Sequence, residues 1–329
     1  MRFLTGLGVL LVVILFIAYF FYGLQPNAAS GEAKPVQFKI VKGDGLKIIG
    51  TELSQMSLIK SINVFKFYSL LSGKAQKFQP GVYELSPKMS IPQIVGVLTS
   101  SGKNEATVTL QEGMTLKDFE KILAQAGVIK EGALTNFQIK KIAGDYEFLN
   151  NVNSLEGFLF PDTYRFSFDS SPEEVAGRLL DNFKAKAWPL LVGKQNWYDS
   201  LILASFLERE VPDFNDRQIV AGILLSRLKK GMPLQIDATI SYAKCEGSFK
   251  ACGEIAVTKK DLDLPSAYNT YERLGLTPTP ISNPGQAAIK AVLTPKSSFY
   301  LYYLSEAKTK ETIFSKTLEE HNRNRAKFL

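Results

Sequence analysis

Leu201 to Asp216, LILASFLEREVPDFND, sets two carboxylates inside one of the most apolar segments downstream of the N-terminus. With Leu203 as origin, the helical offsets i, i+3, i+4 and i+7 fall on Leu203, Phe206, Leu207 and Glu210, so Glu210 lies on the apolar stripe. Glu208 sits about 200° round the helix from it, at about 100° per residue, so the two carboxyls do not point into one cleft. Pro212 disfavours helical geometry at Val211, which predicts a helix ending at or just after Glu210. There the carboxyl meets unpaired carbonyls and the negative end of the macrodipole. Apolar surroundings push the same way, and both raise its pKa. A glutamic acid held protonated near neutral pH suits a general acid. The competing reading is a buried structural carboxylate paired with Arg209, Arg217 or Arg227. Glu208 is expected to be solvated or salt-bridged.

Outward from this helix the chain reads as one α+β domain from Asn150 to Leu329. SLEGFLFPDTYRF is aromatic and turn-rich, and SPEEVAGRLLDNFKAKAWPLL is an amphipathic helix opened by Ser171 and Pro172. FNDRQIVAGILLSRLKKGM follows as a helix with Asn215 as its expected N-cap and Gly231 closing its end. AAIKAVL reads as a short helix and SFYLYYLS as a buried strand. Upstream, VQFKIVKGDGLKIIGTEL and ATVTLQEGMTLKDFEKIL share a cadence of strand, Gly turn and helix, the second helix capped by Thr115. Modules of this shape either bind glycan or act as a spacer. The boundaries read in this way are an anchor at 1–23, a linker at 24–35, a first soluble region at 36–149 and a second at 150–329.

The anchor is FLTGLGVLLVVILFIAYFFY, Phe3 to Tyr22, a run without charge long enough at about 1.5 Å per residue to span a hydrocarbon core of roughly 30 Å. A cleaved signal peptide is the alternative, with NAAS just beyond as its processing site. With only Met1 and Arg2 ahead of the span, the simplest topology leaves the N-terminus in the cytoplasm and translocates the rest. The remaining charge, 39 Lys+Arg against 32 Asp+Glu for a net +7, is scattered, which argues against a nucleic-acid stripe. Cys245 and Cys252 enclose a small Gly/Ser loop, a spacing that permits a disulfide in an oxidising compartment. A structural zinc site is disfavoured, because the only histidine, His321, lies far away in sequence.

Walker, Rossmann, G-x-S-x-G and H-E-x-x-H signatures are absent from the sequence, and a Ser-His-Asp triad would have to pass through His321. Polar residues do stand in apolar or turn settings: Gln235, Asp237 and Thr239 alternate in MPLQIDATISY, Asn269 lies between Tyr268 and Tyr271, and Asn283 sits in TPISNPG. Amides, hydroxyls and tyrosines suit a sugar, although each taken singly is more often a turn or capping residue.

Six ordered segments, EGFLFPDTY (156–164), ASFLEREV (204–211), RLKKGMPLQIDATISY (227–242), SAYNTY (266–271), GLTPTPISNPG (275–285) and FSKTLEEHN (314–322), resemble the endolytic peptidoglycan transglycosylases of the MltG (YceG-like) family. The resemblance implies an α+β chain with an N-terminal transmembrane helix, a small LysM-like domain and a larger mixed α+β catalytic domain. It implies no cofactor and no metal. The implied substrate is the glycan strand of peptidoglycan, cut between N-acetylmuramic acid and N-acetylglucosamine to leave a 1,6-anhydromuramyl end.

The family's A-S-x-x-E-x-E core puts the catalytic glutamate on Glu210. Glu156, Gln235, Asp237, Tyr268, Asn269 and Asn283 are the implied substrate-binding set. The family's L-Q-x-D-P-T is LQIDAT here, with Ala238 in the proline's place. Ordinary glycosidases use two carboxylates; a muramyl hydroxyl acting as nucleophile removes the need for the second. Glu156 as a second carboxylate would instead give a muramidase-type hydrolase, and a non-enzymatic glycan-binding scaffold is the third reading. Expected partners are glycan strands, the inner membrane and peptidoglycan synthases, with the C-terminal domain extracytoplasmic.

Overall fold

The computed structural model describes residues 2–27, 34–41, 43–100, 105–252, 257–306, 309 and 311–328, with the side chains of the first helix described from residue 12 onward. The middle of the linker, most of the NAAS site and the side chains of residues 3–11 of the apolar run therefore lie outside the described residues. Two compact units are present, Met1–Ala106 and Thr107–Leu329.

The first unit opens with helix α1 (Arg2–Leu24), and β1 (Val36–Ile40) follows. Among the described residues no helix is long and apolar enough to cross a membrane. β1 pairs antiparallel with β2 (Gly81–Leu85), Val36 opposite Leu85 and Ile40 opposite Gly81. Between the strands run α2 (Leu46–Gln55) and α3 (Ile62–Leu71), and α4 (Ile91–Leu98) comes after. Ser61 caps α3, and Ser90 with Gln93 forms a full capping box on α4, satisfying N–H groups that would otherwise lack partners. Alternation along β1 turns Phe38 and Ile40 inward against Ile49, Leu53, Phe65 and Leu85.

The second unit starts from β3 (Glu105–Leu110) and α5 (Leu116–Gln125), the latter closed by the expected Thr115 cap in a box with Asp118. The sequence reading places residues 107–149 with the first soluble region; in the structure they belong to the second unit. Long-range bonds explain the difference. β3 pairs with β4 (Asp162–Ser167), Thr109 Oγ1 lying 2.9 Å from Thr163 Oγ1. Phe148 packs on Phe158 and Phe183, with ring centroids 5.8 and 4.9 Å away.

Next come α6 (Pro172–Lys186), the short α7 (Trp188–Leu191), α8 (Trp197–Glu210), α9 (Phe214–Lys229), α10 (Asp237–Lys244) and the short α11 (Phe249–Cys252). The chain closes with α12 (Gln286–Leu293), the hairpin β5 (Tyr302–Ser305) and β6 (Thr312–Ser315), and α13 (Leu318–Phe328). α8 is the central helix: residues 201–207 are buried, and it packs on α9, α10 and α12. The N-cap of α9 is Asp213 rather than Asn215, because the Asp213 carboxyl accepts the Asp216 N–H directly after the Pro212 break. Its C-terminus closes as expected, with Gly231 at φ +65°. β5 is a strand, but only Leu304 in it is buried; Tyr302 and Tyr303 are partly buried and line a cleft.

Candidate active site

The helix carrying the opening stretch ends at Glu210, and Val211 is extended at φ −137° and ψ 118°. Glu208 and Glu210 diverge as the helical phase requires. Glu208 is ion-paired with Arg217 at 2.6 Å and also accepts the Gly285 N–H. Glu210 faces a cleft of about 410 Å3 whose walls include Gln235, Asp237, Tyr271, Tyr303 and His321.

The three arginines considered as partners of Glu210 are engaged elsewhere. Arg217 holds Glu208. Arg227 bonds to the carbonyls of Leu301 and Leu234, folding the 227–235 turn onto the start of β5. Arg209 bonds to the Gly113 carbonyl and lies 3.9 Å from the Phe249 ring centroid. Among the described residues Glu210 has no ion-pair partner.

What holds the Glu210 carboxyl is a backbone group: Oε1 accepts the Ala238 N–H at 3.1 Å. Ala238 is in the first turn of α10, so the carboxyl meets the positive end of that helix as well as the negative end of its own. Its pKa is nonetheless pushed up to about 7. Burial is the main cause and the nearby Asp237 carboxylate the second; the Ala238 N–H and then Arg209 oppose them. Of the two causes read from the sequence, the apolar surroundings are the leading one here; the Asp237 carboxylate is the cause the sequence reading did not include.

Gln235 has φ +53°, a left-handed conformation uncommon for a non-glycine residue, and this turn brings Asp237 beside Glu210. The turn is pinned by Thr270. Its carbonyl accepts the Gln235 N–H and its hydroxyl accepts the Ile236 N–H, at 3.0 and 2.9 Å. Tyr271 donates its hydroxyl proton to Asp237, and its own ionisation is strongly opposed by burial and by that carboxylate. The sequence reading quotes Thr270 within SAYNTY but gives it no role, and it includes neither Tyr303 nor Arg227 in the substrate-binding set. Their signal was only the company they keep in the aromatic and basic motifs. His321, the only histidine of the chain, stacks on Tyr302 with centroids 5.3 Å apart and contributes to the cleft wall.

The remaining predicted residues are not in this cleft. Glu156 is 3% exposed and lines a separate cavity of about 420 Å3 with Tyr242 and Tyr268. Its carboxyl accepts the Leu116 N–H at 2.9 Å, the Tyr242 hydroxyl at 3.1 Å and the Asn283 amide at 3.3 Å. Asn283 in turn accepts the Gly157 and Leu159 N–H groups, so EGFLF and TPISNPG are stitched together through buried polar atoms. Gly157 is required at that seam, having φ +89° and placing any Cβ 2.5 Å from Pro280 Cγ. Asn269 is also fully buried and caps the carbonyls of Leu262 and Leu264.

Burial pushes the Glu156 carboxyl up to about 8. A pKa raised on folding means the stability this group contributes is complete below about 4.5 and is lost as pH rises through about 8. Glu156→Gln is therefore expected to gain thermal stability over the wild type across that window, read as melting temperature against pH. A difference that stays flat with pH would contradict it.

The mixed α+β architecture brings the Glu210 carboxyl, at the end of a core helix and without an ion-pair partner among the described residues, beside Asp237 in one cleft. The chain belongs to the YceG-like family, which matches residues 38–327. An endolytic murein transglycosylase of Bacillus subtilis (strain 168) is 32% identical over 335 residues, covering 94% of this chain and 90% of that protein. One from Streptococcus pneumoniae serotype 2 (strain D39 / NCTC 7466) is 27% identical over 338 residues, covering 93% of this chain and 60% of that longer protein. A crystal structure of a YceG-like protein from Listeria monocytogenes aligns with a TM-score of 0.59 at 31% identity, over 89% of this chain and 99% of that one.

Proposed function

We infer that this chain is a peptidoglycan transglycosylase in which Glu210 acts first as acid and then as base. The observation that carries the reading is the Glu210 carboxyl itself: it opens on a cleft, has no ion-pair partner among the described residues, and, with its pKa pushed up to about 7, populates both acid and carboxylate near neutral pH. The relatives named above as endolytic murein transglycosylases support the same chemistry.

Glu210 gives its proton to the glycosidic oxygen as the bond from that oxygen to the muramyl anomeric carbon breaks. The resulting carboxylate then takes the proton of the muramyl 6-hydroxyl as that oxygen bonds to the anomeric carbon. Proton and bond counts balance without water, and the enzyme returns to its starting state. Gln235, Asp237 and Tyr271, which line the cleft with Glu210, hydrogen-bond sugar hydroxyls in this reading, with Asp237 stabilising positive charge at the anomeric carbon. Glu156, Tyr268, Asn269 and Asn283 act further from the reaction, by holding the loops that frame the cleft.

A hydrolytic reading keeps one specific support, which is Asp237 rather than Glu156: a second carboxyl lining the same cleft is what a water-activating base requires. Incubating the full chain with glycan strands and weighing the new ends by mass spectrometry decides between them. Anhydromuramyl ends are expected, and reducing muramic acid would sink the transglycosylase reading.

The apolar run at Phe3 to Tyr22 anchors the chain in the inner membrane as a single pass, with the residues after Gly23 on the extracytoplasmic side. The strand-helix-helix-strand arrangement of β1, α2, α3 and β2 supports a LysM-like assignment for the first unit, placing it to meet wall glycan near the synthases that make it. Cys245 and Cys252, with Cα atoms 5.6 Å apart, are joined in that compartment. The Asp118 carboxyl accepts the Ser248 hydroxyl and the Lys250 N–H, which pre-forms the loop between them. Protein isolated without reductant is expected to resist alkylation at both cysteines; a mass shift from alkylation before reduction would refute the pairing.

A further inference from the structure

Ala238 carries no side-chain chemistry, yet its backbone N–H is the only protein hydrogen bond to the Glu210 carboxyl among the described residues. Position 238 lies in the first turn of α10, where N–H groups have no carbonyl of their own helix to bond. A proline at this position would have no N–H to give.

We propose that the Ala238 N–H is a positioning donor that fixes which oxygen of Glu210 carries the catalytic proton: it occupies Oε1, leaving the proton on Oε2. A neutral carboxyl has one carbonyl oxygen and one hydroxyl oxygen, and an N–H donor selects the carbonyl oxygen. Oε2, which bonds no protein atom among the described residues, then becomes the atom that donates to the glycosidic oxygen and later accepts the 6-hydroxyl proton. The same N–H stays bonded through both steps and strengthens when the carboxylate forms, because a hydrogen bond to an ionised acceptor is the stronger one. It therefore favours release of the proton as well as aiming it.

The charged and titratable groups facing Glu210 are Asp237 from α10, Arg209 from α8 and Tyr303 from β5. Arg227 of α9, Tyr271, Lys259, and His321 and Arg325 of α13 line the same cleft. Asp237 opposes ionisation of Glu210, Arg209 favours it, and the Ala238 N–H adds to Arg209.

This inference rests on Glu210 being the acid, so one arm of the test needs no substrate. In the full-length protein, the Ala238 amide proton followed by NMR should titrate with a midpoint of about 7, and that titration should vanish in Glu210→Gln. An amide that stays static through the neutral range, or one that still titrates in Glu210→Gln, overturns the proposal. Failure to cleave glycan would count against the transglycosylase reading alone. The second arm is Ala238→Pro, which deletes the N–H in a helical turn where proline is tolerated. It is expected to move the alkaline limb of the cleavage rate against pH upward by roughly one unit. An unmoved limb in a folded variant contradicts the proposal. If that variant does not fold, the amide titration in the unmodified protein decides.

Discussion

Glu210→Gln is expected to lower glycan cleavage about a thousandfold, within the range by which positioned general acids accelerate proton transfer. The amide has the shape of the protonated carboxyl and keeps an oxygen for the Ala238 N–H, so the cleft is preserved. Its stability should equal the wild type's in acid and exceed it above neutrality. The sign follows from the raised pKa: the stability of wild-type Glu210 is complete below about 4.5 and falls as pH rises through about 7, and glutamine has nothing to ionise. Thermal unfolding at both ends of that range, beside a cleavage assay, measures the two effects together. Residual cleavage within tenfold of wild type would mean that another group supplies the proton, with Asp237 first in line.

The second large effect concerns stability. The side chains of Arg217 and Glu208 are only 8% and 5% exposed, so their ion pair is a buried one. Arg217 also donates to the Val211 carbonyl at 2.5 Å, which fastens the start of α9 to the end of α8 across the Pro212 turn. Removing either partner strands a charge away from water, and Arg217→Met or Glu208→Leu is expected to cost about 3–5 kcal/mol by denaturant unfolding. The double variant should be markedly less destabilised than the sum, since no lone charge remains. Activity is expected to fall with the single variants, because the pair sets the angle at which α8 delivers Glu210. Single variants with wild-type stability would show that the pair is solvated in solution.

What the sequence disclosed about this site was local. The 3.6-residue period put Glu210 and Glu208 on different faces, and Pro212 marked the helix end; both are short-range signals. The Thr115 cap and the Gly231 stop were legible for the same reason. Long-range partners were not. Nothing near residue 210 announces that the N–H of residue 238 will reach it, or that the left-handed turn at Gln235 will bring Asp237 alongside. The likeness of VKGDGLKIIG to LQEGMTLKDF suggested one region, yet β1 finds its partner in β2 and β3 in β4, so the two copies of one local cadence end in different units. Glu156 and Glu210 line different cavities, a separation the sequence does not carry for a related reason. α10 lies between them, its N-terminus at Glu210 and its Tyr242 at Glu156, and a linear motif carries no record of which side of a helix a cavity lies on.

The central claim is that one glutamate serves twice and the substrate's own hydroxyl replaces water. Running the reaction with the full chain in water enriched in oxygen-18 tests it most directly. The account predicts that new muramyl ends carry no label, the 6-oxygen having closed on the anomeric carbon. Label at the anomeric position of the new ends would contradict it and make Asp237, activating a water opposite Glu210, the second catalytic carboxylate.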